Sequence, residues 1–297
     1  VPDTVWDIVD RGRPALFNAT GPGVDRSIKP DFHHIGGRAL YGRPIVESDS
    51  GSADLEIAPT SATGPGLQVA SPGRAGSTNS TVFTSGTSNA TALVTREASH
   101  LFDILEAGTP DTDDSSFPDP EYHPLLVRAL LAHASGWGDW ALTMREELGL
   151  DGQQLRRRLT PLLGYGALDT GRLGTAATNR AVLVAGGRIA RNQRLTYDVP
   201  LPPSLRARAD WHRFTITLAS MVPTVGDLTR YRGAKVFFAT PDTSLAGGDR
   251  TGAEHNTVRR GSLQQEVLEG VRAMVFGDGD TFPIHVECMD DAERLGA

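Results

Sequence analysis

The sharpest chemical signal in this sequence is the run Phe83-Thr84-Ser85-Gly86-Thr87-Ser88-Asn89-Ala90-Thr91-Ala92. From Asn89 to Glu106 there is neither Pro nor Gly. Ala90, Leu93, Val94, Ala98, Leu101, Phe102 and Leu105 recur at helical spacing, which predicts a helix with Ser88 at its N-cap. A serine there exposes its hydroxyl, and the N–H groups of the first helical turn have no intrahelical acceptor. Once a base takes its proton, the hydroxyl is a nucleophile. The free N–H groups can then stabilise the oxyanion that forms on an attacked carbonyl. Gly86 permits a sharp entry into the helix, and the small Ala90 and Ala92 let it lie close to a sheet. Ser88 is therefore the candidate catalytic residue, with Gly86, Thr87 and Ser88 forming the nucleophile and oxyanion turn. The same position also suits a serine that does nothing but cap the helix, and spacing alone leaves both roles open.

A nucleophile of this kind needs a base within hydrogen-bond reach. The eight histidines are His33, His34, His100, His123, His133, His212, His255 and His285. His100 lies twelve residues along the same helix, about 18 Å away at 1.5 Å per residue. His33 and His34 stay open as bases, each against an ordinary loop or packing role. Lys29 is a weaker alternative, because a turn beside Pro30 accounts for it. No Gly-x-Ser-x-Gly elbow, His-Glu-x-x-His, P-loop or EF-hand spacing occurs. Ser135, between Ala134 and Gly136, reads as the end of a helix. Asp111, Asp113 and Asp114 read as a solvated linker rather than a calcium site, and the single cysteine, Cys288, excludes an intrachain disulfide and a cysteine-clustered zinc site. The expected cofactor and metal complement is none.

The elements that must position Ser88 fall into three stretches. Residues 1–80 are rich in Gly, Pro, Ser, Asp and Thr and predict short strands in long loops, with 55–57 and 67–70 as strand candidates. Gly21-Pro22-Gly23 and Lys29-Pro30-Asp31 are turn signals. Gly36-Gly37 marks a close passage of backbone or a positive φ. Beyond the helix at 89–106 comes an acidic, proline-broken linker over 107–120. Helices are then predicted at 122–134, 139–148 and 152–162, with a shorter one over 175–181, and Gly164-Tyr165-Gly166 stops the main helical run. After about residue 188 the periodicity turns to strands, at 195–199, 211–218, 234–239, 264–276 and 282–286. Pro200, Pro202 and Pro203 mark the boundary, giving expected domains of 1–188 and 189–297.

The chain has 297 residues with 39% hydrophobic and 22% charged side chains, enough for a substantial core. The net charge is -7, and twenty-seven of the twenty-nine basic residues are arginine. Arg156-Arg157-Arg158 and Arg259-Arg260 are the only basic clusters, too little for a nucleic-acid partner. Apolar runs such as 181–185 are too short to span a bilayer, so no membrane role is expected. No signal-peptide pattern comes after Val1. Localisation stays open, with the cytoplasm slightly ahead of secretion, and oligomeric state is not legible.

Gly86-Thr87-Ser88 with Ala90 and Ala92 resembles the nucleophile motif of the subtilisin-like serine proteases. The resemblance extends in order along residues 15–175. Gly21-Pro22-Gly23-Val24-Asp25 and Ile28-Lys29-Pro30-Asp31-Phe32 are similar to the segment preceding that nucleophile, and Gly36-Gly37 falls at the family's Ala-Pro-Gly turn. His123-Pro124, Val127 to Leu131, and Leu163-Gly164-Tyr165-Gly166 with Leu168-Asp169 resemble the family's helix and turn on the C-terminal side of the nucleophile. The 197–202, 216–220 and 231–234 segments resemble the β-sandwich domain of certain large bacterial subtilases, and Glu287 to Ala292 the approach to a further strand of it. The resemblance implies an α/β fold: a subtilisin-like three-layer parallel-sheet domain, then a β-sandwich-like domain. It implies a serine endopeptidase that cleaves protein or peptide substrates through an acyl-enzyme on Ser88 without an organic cofactor.

The family's order is Asp, His, Ser, with an asparagine as second oxyanion donor. The 87 residues before Ser88 hold neither an Asp-Thr-Gly opening nor a His-Gly-Thr-His motif, and Asn18 lies in the wrong setting for the asparagine. Asp169-Thr170-Gly171 has the right letters after the nucleophile, in the wrong order, and reads as a turn. The expectation is thus a fragment whose partner is the missing N-terminal part of the same protein, inactive alone, with Leu93, Val94, Leu101 or their neighbours left uncovered. The alternative is a shortened, non-catalytic relative that binds peptide or serves as a structural module.

Overall fold

The computed structural model describes residues 5–9, 13–42, 54–58, 64–108, 118–173, 179–225, 231–239 and 248–291. The chain forms two compact units, Val1–Ala19 with His34–Glu97, and Thr20–His33 with Ala98–Ala297.

The first unit holds β1 (Val5–Trp6) paired antiparallel with β2 (Tyr41–Gly42), and β3 (Leu67–Ser71) paired antiparallel with β4 (Ser80–Thr84). From β4 the chain enters α1 (Thr87–Ala107), which runs on into the second unit. Of the first unit's described hydrophobic residues only Tyr41 is buried, and its hydroxyl has no partner among the described residues. Ile8, Leu16, Phe17, Ile35, Leu55 and Ile57 are exposed. The strand expected at 55–57 reduces to a single bridge from Ile57 to Tyr41.

The second unit contains most of the ordered core. Its elements are α2 (His123–His133), β5 (Ser135–Gly136), α3 (Asp139–Leu148), α4 (Gly152–Leu163), β6 (Ala167–Leu168), β7 (Arg194–Pro200), β8 (His212–Ala219), β9 (Ala234–Phe238), β10 (Asp249–Thr251), α5 (His255–Val258), β11 (Leu263–Gly270) and β12 (Thr281–Asp290). Pro124 opens α2, where its missing N–H removes no helical bond. The Asp151 carboxylate accepts from Gly152 N at the start of α4. Leu155, Leu159 and Leu163 recur every fourth residue on α4 and pack with Trp137, Trp140 and Met144.

Two three-stranded antiparallel sheets, β10-β11-β8 and β7-β12-β9, share one core. Phe214 of β8 stacks on Phe282 of β12 with centroids 5.7 Å apart. On β11 residues 263–268 are all buried, and successive side chains serve opposite faces. Gln264 Nε2 donates to Val236 O of β9 at 2.8 Å, whereas Gln265 Nε2 donates the other way, to Ala132 O at the end of α2.

Several expectations change. Every ladder among the described residues is antiparallel, and parallel pairing is confined to the bridges His33–Ala167 and Arg206–Met274. The expected three-layer parallel sheet is not among them, because α1 leads into α2 and no described strand returns beside β4 to form the ladder a crossover would need. The expected boundary at 188/189 does not divide the structure either. Ile28, Ala132 and Tyr165 lie in the same core as Val236, Phe238 and Leu268. The prolines at 200–203 mark a change of secondary structure, not of core. The strand expected over 264–276 leaves its ladder after Gly270, and Glu287 to Asp290 belong to β12 itself. Leu101 is buried at 5% exposure, and the uncovered apolar residues of α1 are Phe102 and Ile104. The helix expected over 175–181 falls largely, and Asp111, Asp113 and Asp114 fall wholly, outside the described residues.

Tyr165 ties the Gly164-Tyr165-Gly166 turn to the sheets. Its hydroxyl donates to Leu263 O at 2.6 Å, and burial pushes its ionisation well above the usual range. Both flanking glycines are required. Gly164 has φ +56 and Gly166 φ +102, and a Cβ would lie 2.0 Å from Pro30 O at the first and 2.1 Å from the Gly136 carbonyl at the second. Tyr165→Phe keeps the shape but deletes this bond, with an expected loss of about 1–2 kcal/mol. The measurement is a urea titration in which the midpoint falls and the slope is unchanged.

His133 closes α2 against β8, its Nδ1 3.1 Å from Thr217 Oγ1. Burial, then the positive charges of Arg172, Arg213 and Arg180, push its pKa down from 6.5 to about 4. Between those values the unfolded chain binds a proton that the fold refuses. Stability is full at neutral pH and falls as pH drops through that window, by up to about 3 kcal/mol. Thermal melts from pH 7 to 4 should show this slope, and His133→Gln should flatten it.

Candidate active site

Ser88 is presented by a strand-turn-helix segment. β4 ends at Thr84, Ser85 and Gly86 make the turn, and α1 begins at Thr87. Ser88 therefore sits in the first turn rather than at the N-cap, and Gly86 takes the position ahead of the helix. Thr87 and Ser88 are exposed. Within their unit neither the Ser88 hydroxyl nor its backbone N–H has a hydrogen-bond partner among the described residues. A capping hydroxyl would accept from a first-turn N–H. This one does not, so the plain capping role does not hold.

The turn is held by other groups. Gly86 N donates to Gly36 O at 2.8 Å, and Asn89 Nδ2 donates to both Gly36 O and Thr84 O at 3.2 Å. A Cβ at Gly36 would lie 2.7 Å from Gly86 O. Gly37 has φ +90, and a Cβ there would lie 2.5 Å from Thr84 O. Gly36-Gly37 is thus a place of close backbone passage, as its sequence suggested. Ala90 approaches the same loop, 3.7 Å from the Cβ position of Gly36, whereas Ala92 is exposed and packs against no sheet. Asn89 is the residue of this turn whose role motif reading missed. Its position directly after Ser88 was the signal, masked by the small residues around it.

The bases weighed for Ser88 have other surroundings. His33 Nε2 donates to Leu162 O at 2.8 Å, and burial lowers its pKa while that carbonyl raises it. His34 is lowered by burial and raised in part by the Glu97 carboxylate. Lys29 is ion-paired to Asp31 at 2.7 Å. The Asp169 carboxylate accepts from Gly171 N at 3.0 Å, the local turn expected of Asp169-Thr170-Gly171. Ser135 Oγ donates to Leu131 O at 2.9 Å, just past the end of α2. Burial, with Asp290 nearby, pushes the Cys288 thiol up, away from thiolate chemistry. Among the described residues no three His, Cys, Asp or Glu side chains converge as metal ligands, and no helix is long and apolar enough to cross a membrane.

No family model, no curated protein and no solved structure matches the chain.

Within each unit the fold joins segments far apart in sequence. In the first, residues 36–37 meet the Ser88 turn. In the second, the 29–33 segment meets Gly164-Tyr165-Gly166, with Tyr165 N donating to Asp31 O and His33 N to Gly166 O, both at 2.8 Å. Gly36→Ala should open the first junction. Hydrogen exchange at Gly86 and Asn89 is expected to quicken roughly tenfold, with β11 unchanged. Gly187→Ala, where a Cβ meets nothing within 4 Å, is the control.

Proposed function

We propose that this chain is the nucleophile-bearing part of a serine endopeptidase of the subtilisin type. The observation that carries the reading is the exposed, unengaged Ser88 in the first turn of α1, with its turn clamped by Gly36 and Asn89. The chemistry is that of an activated serine. Ser88 Oγ attacks the carbonyl carbon of a peptide bond while a histidine takes its proton. The Ser88 N–H donates to the oxyanion. The carbon–nitrogen bond breaks, the histidine returns the proton to the leaving amine, and water hydrolyses the acyl-serine. That histidine, the aspartate that orients it and the asparagine that shares the oxyanion come from polypeptide preceding Val1 in the parent protein. The reading is supported by the first unit, which buries Tyr41 alone and leaves six large hydrophobic residues exposed, as expected of a domain completed by more chain. The same polypeptide would supply the strands of a parallel sheet. Substrates are proteins or peptides, and no organic cofactor takes part.

The test combines the intact mass of the natural gene product with fluorophosphonate labelling. The expected product is much larger than 31.7 kDa and is labelled at Ser88, with the label lost in Ser88→Ala. The 297-residue chain alone should label at least a hundredfold more slowly. A natural product of 31.7 kDa without label at Ser88 would overturn the peptidase and leave the non-catalytic, peptide-binding relative.

A further inference from the structure

A second place in the molecule is built to hold a ligand, and it does not involve Ser88. In the second unit the 21–29 loop, α4 and the end of α5 enclose a cavity of about 150 Å³. Arg26, Lys29, Arg157 and Arg260 all line it. Lys29 is neutralised by Asp31 at 2.7 Å. Arg26, Arg157 and Arg260 have no carboxylate partner among the described residues, although Lys29 and thirteen other arginines do.

The cavity holds one carboxylate, that of Glu254, and it does not cancel these charges. Its Oε2 accepts from Thr257 N and Thr257 Oγ1 at 2.9 Å, and its Oε1 accepts from Asn256 Nδ2 at 3.0 Å. Burial would raise its pKa, but these bonds hold it below the usual range, so it stays ionised on neutral donors. Arg26, Arg157 and Arg260 therefore line the cavity beside one carboxylate, an excess of two positive charges. In a chain of net charge -7 such a concentration is a local feature, not a general one.

The loop is shaped for this. Asp25 and Arg26 are both left-handed, with φ of 54° and 55°, a conformation that costs energy in residues with a side chain. Asp25 is anchored by Arg232, 3.4 Å away and only 4% exposed. Arg26, next to it, has no such anchor and lines the cavity. Between the cations the wall is apolar, made by Pro22, Ile28 and Pro161.

We propose that this cavity binds a phosphoryl dianion carried by a small molecule. Guanidinium groups bind phosphoryl oxygens through paired hydrogen bonds, and two net charges match a monoester dianion. A volume of 150 Å³ is about five water volumes. It takes the phosphoryl group and a short apolar body, and it is too small for a nucleotide or a peptide. The apolar wall favours an ester over free phosphate.

The test is calorimetric titration of the 297-residue chain with phenyl phosphate, inorganic phosphate and benzoate. Phenyl phosphate should bind one to one, tighter than inorganic phosphate, and weaken as salt is raised. Arg157→Ala and Arg260→Ala should each weaken it about tenfold, and Arg158→Ala, exposed on the same helix outside the cavity, should not. Equal affinity for phosphate and its phenyl ester would assign free phosphate as the ligand of the same site. Absence of saturable phenyl phosphate binding at millimolar concentration would overturn the proposal. So would tighter binding of benzoate, or unchanged binding in a folded Arg157→Ala/Arg260→Ala double variant. None of these outcomes depends on Ser88 labelling.

Discussion

A strand covered on both faces needs partners for the polar side chains it carries, and the second unit is organised around that demand. β11 carries Gln264, Gln265 and Glu266 in succession at 0%, 4% and 1% exposure. Each buried group left unpaired would cost about 1–3 kcal/mol. Gln264 Nε2 reaches Val236 O and Gly261 O, with its Oε1 left without a hydrogen-bond partner among the described residues, and Gln265 Nε2 reaches Ala132 O and Ser135 O. Glu266 pairs with Arg250 and His255. The partners lie in a strand of the other sheet, a turn, the end of α2, and the β10 and α5 flanks. A slip of one residue in the β11 register would exchange the two faces and leave these partners unmatched. The register therefore fixes α2 and both sheets at once. Tyr165 extends the constraint, because its bond to Leu263 O holds the Gly-Tyr-Gly turn, against which Pro30 and the loop of the cationic cavity lie.

The first unit is built on the opposite principle. Its order comes from backbone contacts and polar links, such as Gly86 N to Gly36 O and Arg38 Nε to Asp7 Oδ1 at 2.8 Å, not from a core. Burial of apolar surface contributes about 25 cal/mol per Å², and a unit whose described residues bury Tyr41 alone gains little of it from them. The clamp around Ser88 is nevertheless specific. It depends on two positions that accept no side chain and on one amide that bridges two carbonyls.

Secondary structure was legible where it is locally encoded. The helices at 139–148 and 152–163 obey apolar spacing between strong breakers, and the strands at 194–200 and 212–219 obey alternation. Gly36-Gly37 and Gly164-Tyr165-Gly166 were legible as special backbone, because only glycine fits those approaches. The division of the chain was not. A change of periodicity near 188 reports which element comes next, whereas a core is defined by which elements share burial, and Ile28, Tyr165 and Leu268 share it across that point. A strand was legible over 264–276, but the burial of the polar triplet of β11 was not, since glutamine and glutamate are seldom interior unless paired, and pairing is a tertiary fact. The cationic cavity was hidden for the same reason. Arg26 stands alone, and Arg157 and Arg260 belong to two short basic runs far apart in sequence, so no local window shows that the three line one cavity.

The way Ser88 is held bears on what limits its chemistry. The backbone of its turn is fixed from outside by Gly36 and from within by Asn89, so its N–H is held in place in advance of the chemistry proposed for it. Its hydroxyl is not engaged by any neighbour in its unit among the described residues. Preorganised donors and a free nucleophile are separable contributions. Donors stabilise charge in the transition state without a base, but a serine hydroxyl transfers its proton only to a base within about 3 Å. An arrangement that supplies the first and lacks the second can orient a carbonyl yet turns it over slowly. In the peptidase proposed above, the slow step of the chain alone would lie in proton transfer from Ser88. Under that proposal a properly placed histidine would supply rate without any rearrangement of the turn, whereas loss of the Gly36 clamp would leave the Ser88 N–H present but no longer positioned.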